Sequence, residues 1–233
     1  MPPERGTDAP LERWVNLVEN NPDPGRPAQF NDWYDNMHLP DALRSPGILR
    51  ARRYERHEFR DGRAQYLAVY EIDSADIDET MRVRRANREE EVRKGRASTS
   101  FPNLSFSLWR DVLWKLVSER RTPGNAAGGG RWLGIVESNC DPRREEEYND
   151  WCDRVQIPQA LAVPGYVAAR RLRIKEFRDG RGRYMTMHEI ETDDISETLR
   201  SRAAARPESR PDLEWPLWRE LFWRQITDKG EAR

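Results

Sequence analysis

The chain has 233 residues, 35% charged and 36% hydrophobic, with nine tryptophans, a composition suited to small domains with modest cores rather than one large one. Forty basic residues balance forty-one acidic ones, without a contiguous basic block or nucleic-acid motif, which argues against a nucleic-acid partner. No run approaches the roughly 18 apolar residues of a membrane span, and Met1 to Arg13 lacks the apolar core of a signal peptide, so no membrane association and a cytoplasmic location are expected.

Residues 1–13 read as a disordered tail. A strand of alternating character, Trp14 to Asn20, ends at Asn21-Pro-Asp-Pro, where Asp23 is placed to cap a helix starting at Pro24. In that helix Phe30, Trp33, Tyr34 and Met37 recur at i, i+3, i+4 and i+7, an apolar stripe that Pro40 then breaks or bends. A second strand, Ile48 to Phe59, is joined to a third, Gln65 to Ile72, by Arg60-Asp-Gly-Arg63, with Asp-Gly the preferred pair of a two-residue hairpin turn. Asp76, with Glu79 three residues on, marks the start of a second helix as an Asp variant of the capping box. Leu108 to Val117 reads as the last strand.

The same order then repeats. Trp132 stands 118 residues after Trp14, and that offset holds without a gap through Arg82 and Arg200. Roughly half of the aligned positions are identical, far beyond chance, including Asn31-Asp32-Trp33 with Asn149-Asp150-Trp151. The copies realign at Leu108-Trp109-Arg110 and Leu217-Trp218-Arg219 after a deletion of nine residues in or after the second helix of the second copy. Residues 14–118 and 132–227 are therefore read as two domains, 119–131 as a linker that is flexible around Gly128-Gly129-Gly130, and 228–233 as a tail.

Each copy reads β-α-β-β-α-β, the ferredoxin-like α+β pattern, with two helices on one face of a four-stranded antiparallel sheet. The bare faces are expected to cover each other, sheet against sheet, so that tandem ferredoxin-like repeats form an intramolecular dimeric α+β barrel, a pseudo-dimer in one chain. Further homo-oligomerisation is left open. The shared tryptophans are expected to build the two cores.

The segment Phe30 to Gly47, followed by Ala51-Arg-Arg-Tyr54, resembles the dimeric α+β barrel superfamily, EthD-like members in particular, through Trp33, Tyr34, His38 and Pro40. In the second copy Trp151 and Pro158 remain, but Cys152 replaces Tyr34 and Gln156 replaces His38. The resemblance implies a pocket between helices and sheet, in a superfamily that houses cyclases, isomerases, lyases, cofactor-free monooxygenases and haem enzymes, so it does not choose the chemistry.

Only His38, His57 and His188 offer imidazoles, and no two have a metal-ligand spacing, so no metal is expected. His38, four residues after Tyr34, can form a minimal acid-base pair with that phenol, or simply cap the helix end. Asp41 can orient the imidazole or merely begin a turn. On the third strand Tyr66, Ala68, Tyr70 and Ile72 share one face, matching Tyr184, Thr186, His188 and Ile190. If that face meets the helices, the candidate catalytic set is His38, Tyr34, Tyr70 and Asp41. Trp33, Met37, Tyr66, Tyr184, His188 and Gln156 would then bind substrate. If it meets the other sheet, these are structural hydrogen-bonders. His57 reads as surface decoration; Asp35 and Asp153 are shared by both copies, and the strand carboxylates Glu19, Glu137, Glu71 and Glu189 read as salt-bridge partners of Arg52 or Arg53 and Arg170 or Arg171. A disulfide between Cys140 and Cys152 is not expected. The leading expectation is an enzyme, a lyase or isomerase/cyclase without organic cofactor, acting on a small, partly aromatic molecule. The alternatives are a non-catalytic small-molecule binder and a haem protein with His38 or His188 as axial ligand.

Overall fold

The computed structural model describes residues 9–58, 64–97, 106–177, 182–205 and 217–230, with the side chains of 106–109 and 217–218 excepted. The first half runs β1 (Glu12–Pro22), α1 (Pro27–Trp33), a π-helical turn (Tyr34–His38), α2 (Leu39–Leu43), β2 (Ile48–Arg56), β3 (Tyr66–Ser74), α3 (Ile77–Arg93) and β4 (Phe106–Arg121). The second runs β5 (Arg131–Ser138), α4 (Glu145–Trp151), a π-helical turn (Cys152–Gln156), α5 (Ile157–Leu161), β6 (Tyr166–Ile174), β7 (Tyr184–Glu191), α6 (Ile195–Ala204) and β8 (Leu217–Gly230). Among the described residues no helix is long and apolar enough to cross a membrane.

The expected helix at Pro24 begins later. Asp23 instead closes a turn, accepting from the Gly25 and Arg26 amides, and Pro27 takes the first helical position, where its missing N–H costs nothing. Pro40 does not end the helix either. It cannot donate to the preceding turn, and the chain widens ahead of it: the Leu39 amide reaches back five residues to the Tyr34 carbonyl. Asp76 does cap α3, accepting from the Asp78 and Glu79 amides, while its own amide donates to Ser74 Oγ instead of to a Glu79 carboxylate. The Asp-Gly hairpin turns and the side chains of Trp109 and Trp218 lie outside the described residues. Helix α6 is shorter than α3, which absorbs much of the nine-residue deletion.

The eight strands close into one antiparallel barrel in the order β1-β3-β2-β8-β5-β7-β6-β4. The halves are thus joined edge to edge, β2 to β8 and β4 to β6, rather than only stacked face to face. Closure removes every exposed sheet edge. Alternation sends Val15, Leu17, Leu67, Val69, Trp114 and their second-half mates into the barrel. The opposite face meets the helices, so Tyr66, Ala68, Tyr70 and Ile72 pack with Phe30, Trp33 and Leu39.

The barrel interior is not purely apolar. On one side of its middle Arg110 grips Glu137 through two hydrogen bonds (2.5 and 2.8 Å) while Arg219 pairs with Glu19 and approaches Glu137 at 3.3 Å. On the other, Arg52 pairs with Glu71 and Glu189, and Arg170 reaches the same carboxylates at 2.9 and 3.1 Å. Burial opposes ionisation of Glu71, but Arg52 and Arg170 outweigh it and hold its carboxyl down at about 2. Each quartet takes two residues from each half, so both sit on the pseudo-two-fold axis. The glycine-rich segment between halves is tied down: Asn125 donates to the Leu161, Val163 and Tyr166 carbonyls, and the Gly129 and Gly130 amides donate to Asp193.

Candidate functional site

In the first half the π-helical turn is locked onto β2 by Arg53, a fully buried cation. It donates to Asp35 (2.8 Å) and Asn31 (2.6 Å) and lies 4.3 Å from the Tyr34 ring centre. The widened turn rotates His38 onto Trp33, five residues back, where the two rings stack at 5.0 Å, with Tyr34 edge-on at 4.7 Å. A regular α-helix would not bring residues five apart face to face.

Tyr34 and Tyr70 share a hydrogen bond, with their hydroxyls 3.3 Å apart. Burial raises both phenol pKa values, Tyr70 well above its ordinary value. The Arg84 guanidinium covers the Tyr70 ring at 4.1 Å and donates to Asn16, which in turn donates to Asp111. Burial, then the cations of Arg84, Arg88 and Arg53, push the His38 imidazole down to about 3. At neutral pH it is therefore an uncharged base beside two neutral phenols and a fixed cation. An imidazole held that low is a weak base, so as it stands the set offers His38 as a hydrogen-bond acceptor and Arg84 and the phenols as donors to a bound oxygen; an anion bound among the three cations would raise the imidazole toward the range of a working base.

The structure gathers His38, Tyr34, Tyr70, Trp33, Tyr66 and the half-buried Met37 in one place. Asp41 is elsewhere. Its carboxylate is taken by Arg96 through two 2.8 Å bonds and by Arg44 at 2.7 Å, because in α2 it faces the segment after α3 and not the imidazole. Arg84, Asn16 and Arg53 are the polar members that sequence reasoning missed. An asparagine between Trp14 and Val18 on the helix-facing side of β1 was the available signal for Asn16.

The second half does not reproduce this site. Tyr184 donates to Glu145 and packs with Cys140, Tyr148 and Cys152, whose thiols are free and buried. His188 is 4% exposed, edge-on to Tyr166 at 5.4 Å, with Nδ1 unpartnered. Burial, then Arg202, push it down to about 3. Gln156, in place of His38, has a buried and unpartnered Oε1. Gly134 stands where Asn16 would, and the Phe222 ring fills that space, 2.9 Å from where a Cβ would lie. The salt-bridge expectation holds for Glu71 and Glu189, which pair with Arg52 and Arg170, but not for Glu19 and Glu137, which pair with Arg219 and Arg110 because β4 and β8 and not β2 and β6 present arginines at that level of the barrel; on the helix side Asp35 meets Arg53 and Asp153 meets Arg171.

No protein-family model matches the chain, and no curated protein matches it in sequence. Solved structures do match over nearly the whole length. A monooxygenase-like protein from Fusobacterium nucleatum subsp. nucleatum has a TM-score of 0.57 at 7% identity, covering 94% of this chain and 95% of its own. An anthrone oxidase-like protein has a TM-score of 0.54 at 12% identity, covering 97% and 96%. The R173E mutant of chlorite dismutase from Candidatus Nitrospira defluvii has a TM-score of 0.55 at 12% identity, covering 92% of each. At such identities the likeness shows architecture alone: the chain has the fold of the dimeric α+β barrel proteins, with both subunits' worth of strands in one polypeptide.

Proposed function

We propose that the first half carries an acid-base site for a small hydroxylated aromatic metabolite, operating without an organic cofactor or metal. The observation that carries the reading is the neutral His38 imidazole set against the Tyr34–Tyr70 hydroxyl pair under Arg84. An enolising or phenolic substrate bound among Arg84, Arg88 and Arg53 offsets the cations that hold the His38 imidazole down, and His38, so raised, removes a proton from its acidic carbon or phenol. The tyrosine pair and Arg84 stabilise the enolate or phenolate, and Trp33 and Met37 hold the aromatic body. Return of the proton to another atom gives isomerisation or cyclisation, and loss of a leaving group gives a lyase. The name of the anthrone oxidase-like neighbour fits an enolisable aromatic substrate. We further read the halves as EthD-like tandem ferredoxin-like units, 14–118 and 132–227, of a cytoplasmic protein.

Haem does not fit the described residues. An axial imidazole needs a porphyrin-wide open slot in front of its nitrogen: His188, 4% exposed and packed on Tyr166, has none, and the two described cavities are lined by neither His38 nor His188.

The test is deuterium exchange, followed by NMR, into a panel of enolisable aryl ketones incubated in D2O. The wild-type chain is expected to accelerate exchange into at least one of them, and His38→Ala to remove the acceleration at an unchanged circular dichroism spectrum. A wild-type chain inert toward the whole panel, or full activity in His38→Ala, overturns the assignment. Ligand bound tightly but without exchange would favour a non-catalytic binder.

A further inference from the structure

Two cavities occupy equivalent places, each between the second helix and last strand of one half and the chain leaving the second strand of the other. At both, a backbone bond seals the junction: the His57 amide donates to the Phe222 carbonyl, and the Lys175 amide to the Leu113 carbonyl, each at 2.9 Å. Yet the cavity bordered by α3 and β4 measures about 410 Å³, and the one bordered by α6 and β8 about 810 Å³.

Among the paired positions of the two linings, three lose charge or bulk in the larger cavity. In the smaller cavity Lys175 forms an ion pair with Asp78 across the two halves, and Arg85 adds a long side chain to the lining. The corresponding positions of the larger one are His57, Ser196 and Ala203. No ion pair can form between a serine and an imidazole, and His57 turns edge-on to Trp132, its ring centre 5.4 Å away. Ala203 removes the remaining bulk. His57 is therefore not surface decoration but a wall of the larger described cavity, supplied by the opposite half.

We propose that this opened cavity is a second binding site, for an uncharged hydroxylated aromatic molecule. Leu199, Leu221 and Phe222 supply an apolar wall, while the Ser196 hydroxyl and the His57 imidazole supply the polar groups that would meet a ligand hydroxyl. An ionic ligand is disfavoured because the charged lining is balanced and occupied. Arg56 donates to the Ala64 carbonyl and covers the Trp223 ring, and Arg200 is paired with Glu197. Glu58 lies 4.0 Å from His57, and Glu220 brings a second acid against the two arginines. A volume of this order accommodates a molecule of two or three fused rings. The site lies where the halves meet, shares no lining residue with the His38 cluster and stands independently of the function proposed for that cluster.

The experiment is a fluorescence titration of the full chain with 2-naphthol. Saturable binding is expected, with one site retained in the His38→Ala background. The variant His57→Lys/Ser196→Asp/Ala203→Arg, which installs the residues of the smaller cavity, should bind at least about tenfold more weakly, as expected for loss of one well-made contact or more. The converse variant Asp78→Ser/Lys175→His/Arg85→Ala should raise the stoichiometry to two in that same background. If the first variant does not fold, Ala203→Arg alone, at an exposed position of α6, takes its place and should weaken binding in the same direction. Absence of saturable binding, or equal binding by the folded closing variant, overturns the proposal. So does binding that persists in the closing variant but is lost in His38→Ala, which would put the probe in the first-half site.

Discussion

Acid should destabilise this protein through His188 before any paired carboxylate is affected. The imidazole is 4% exposed, its Nδ1 has no partner, and burial followed by Arg202 moves its pKa from 6.5 to about 3. Below pH 6.5 the unfolded chain binds a proton that the folded chain refuses, so stability falls as pH falls, and the loss levels off only near pH 3. With those two pKa values, lowering the pH from 7 to 4.5 costs about 2 to 3 kcal/mol from this one group. Glu71, held at about 2, acts in the lower range: its contribution is complete above its unfolded value of 4.5 and is lost only as pH drops toward 2. Urea denaturation of the wild type and His188→Gln at pH 7, 6, 5 and 4.5 isolates the effect, because all other groups cancel in the difference. The wild type should lose 2 to 3 kcal/mol more than the variant across that range, on the same linkage argument. Parallel curves would refute the premise that the folded chain holds His188 uncharged.

Two further outcomes follow from the charge pairs. Glu137→Gln leaves Arg110 and Arg219 without their shared carboxylate inside the barrel and should cost about 3 to 5 kcal/mol in urea denaturation, the range for breaking a buried pair from one side. Asp41→Asn should lower stability by no more than about 1 kcal/mol, since Arg44 and Arg96 are substantially solvated, and should leave the His38-dependent exchange rate unchanged, since Asp41 does not touch the imidazole.

What the sequence made legible was whatever depends on local period or on the internal repeat. Strand alternation placed Tyr66 and Tyr70 on one face, and Asp76 caps its helix as expected, with its mate Asp194 doing the same in the second half. Alternation has no sign, however, so only the coordinates join that face to Phe30 and Trp33. The π-helical turn was invisible because nothing in a stripe at i, i+3, i+4 and i+7 distinguishes a helix that absorbs Pro40 by widening from one that stops there. That one local event decides which ring His38 meets. Asp41 was misread for the same reason: a carboxylate three residues past a histidine is near it in sequence, but the helix turns it toward Arg96. Arg84 and Asn16 reach the tyrosines through tertiary contacts between α3 and β1, and such contacts leave no periodic trace.

Comparing the halves separates residues that hold the barrel from those free to change. Each interior quartet unites mates from both halves around one axis, so a change at Glu19 must be met by Arg219, and a change at Arg52 by Glu71 and Glu189. All four pairs of mates are identical: Glu19 with Glu137, Arg52 with Arg170, Glu71 with Glu189, and Arg110 with Arg219. The clamp on the π-helical turn is also duplicated, with Arg171 donating to Asn149 as Arg53 does to Asn31. Inside that fixed frame the private positions differ: Tyr34 against Cys152, His38 against Gln156, Tyr70 against His188, Asn16 against Gly134. The ring and hydrogen-bond contacts of Tyr34, His38, Tyr70 and Asn16 stay within their own half, so substitution there leaves the shared quartets intact. One fold can therefore hold the His38–Tyr34–Tyr70 cluster in one half while the matching positions of the other carry Gln156, Cys152 and His188.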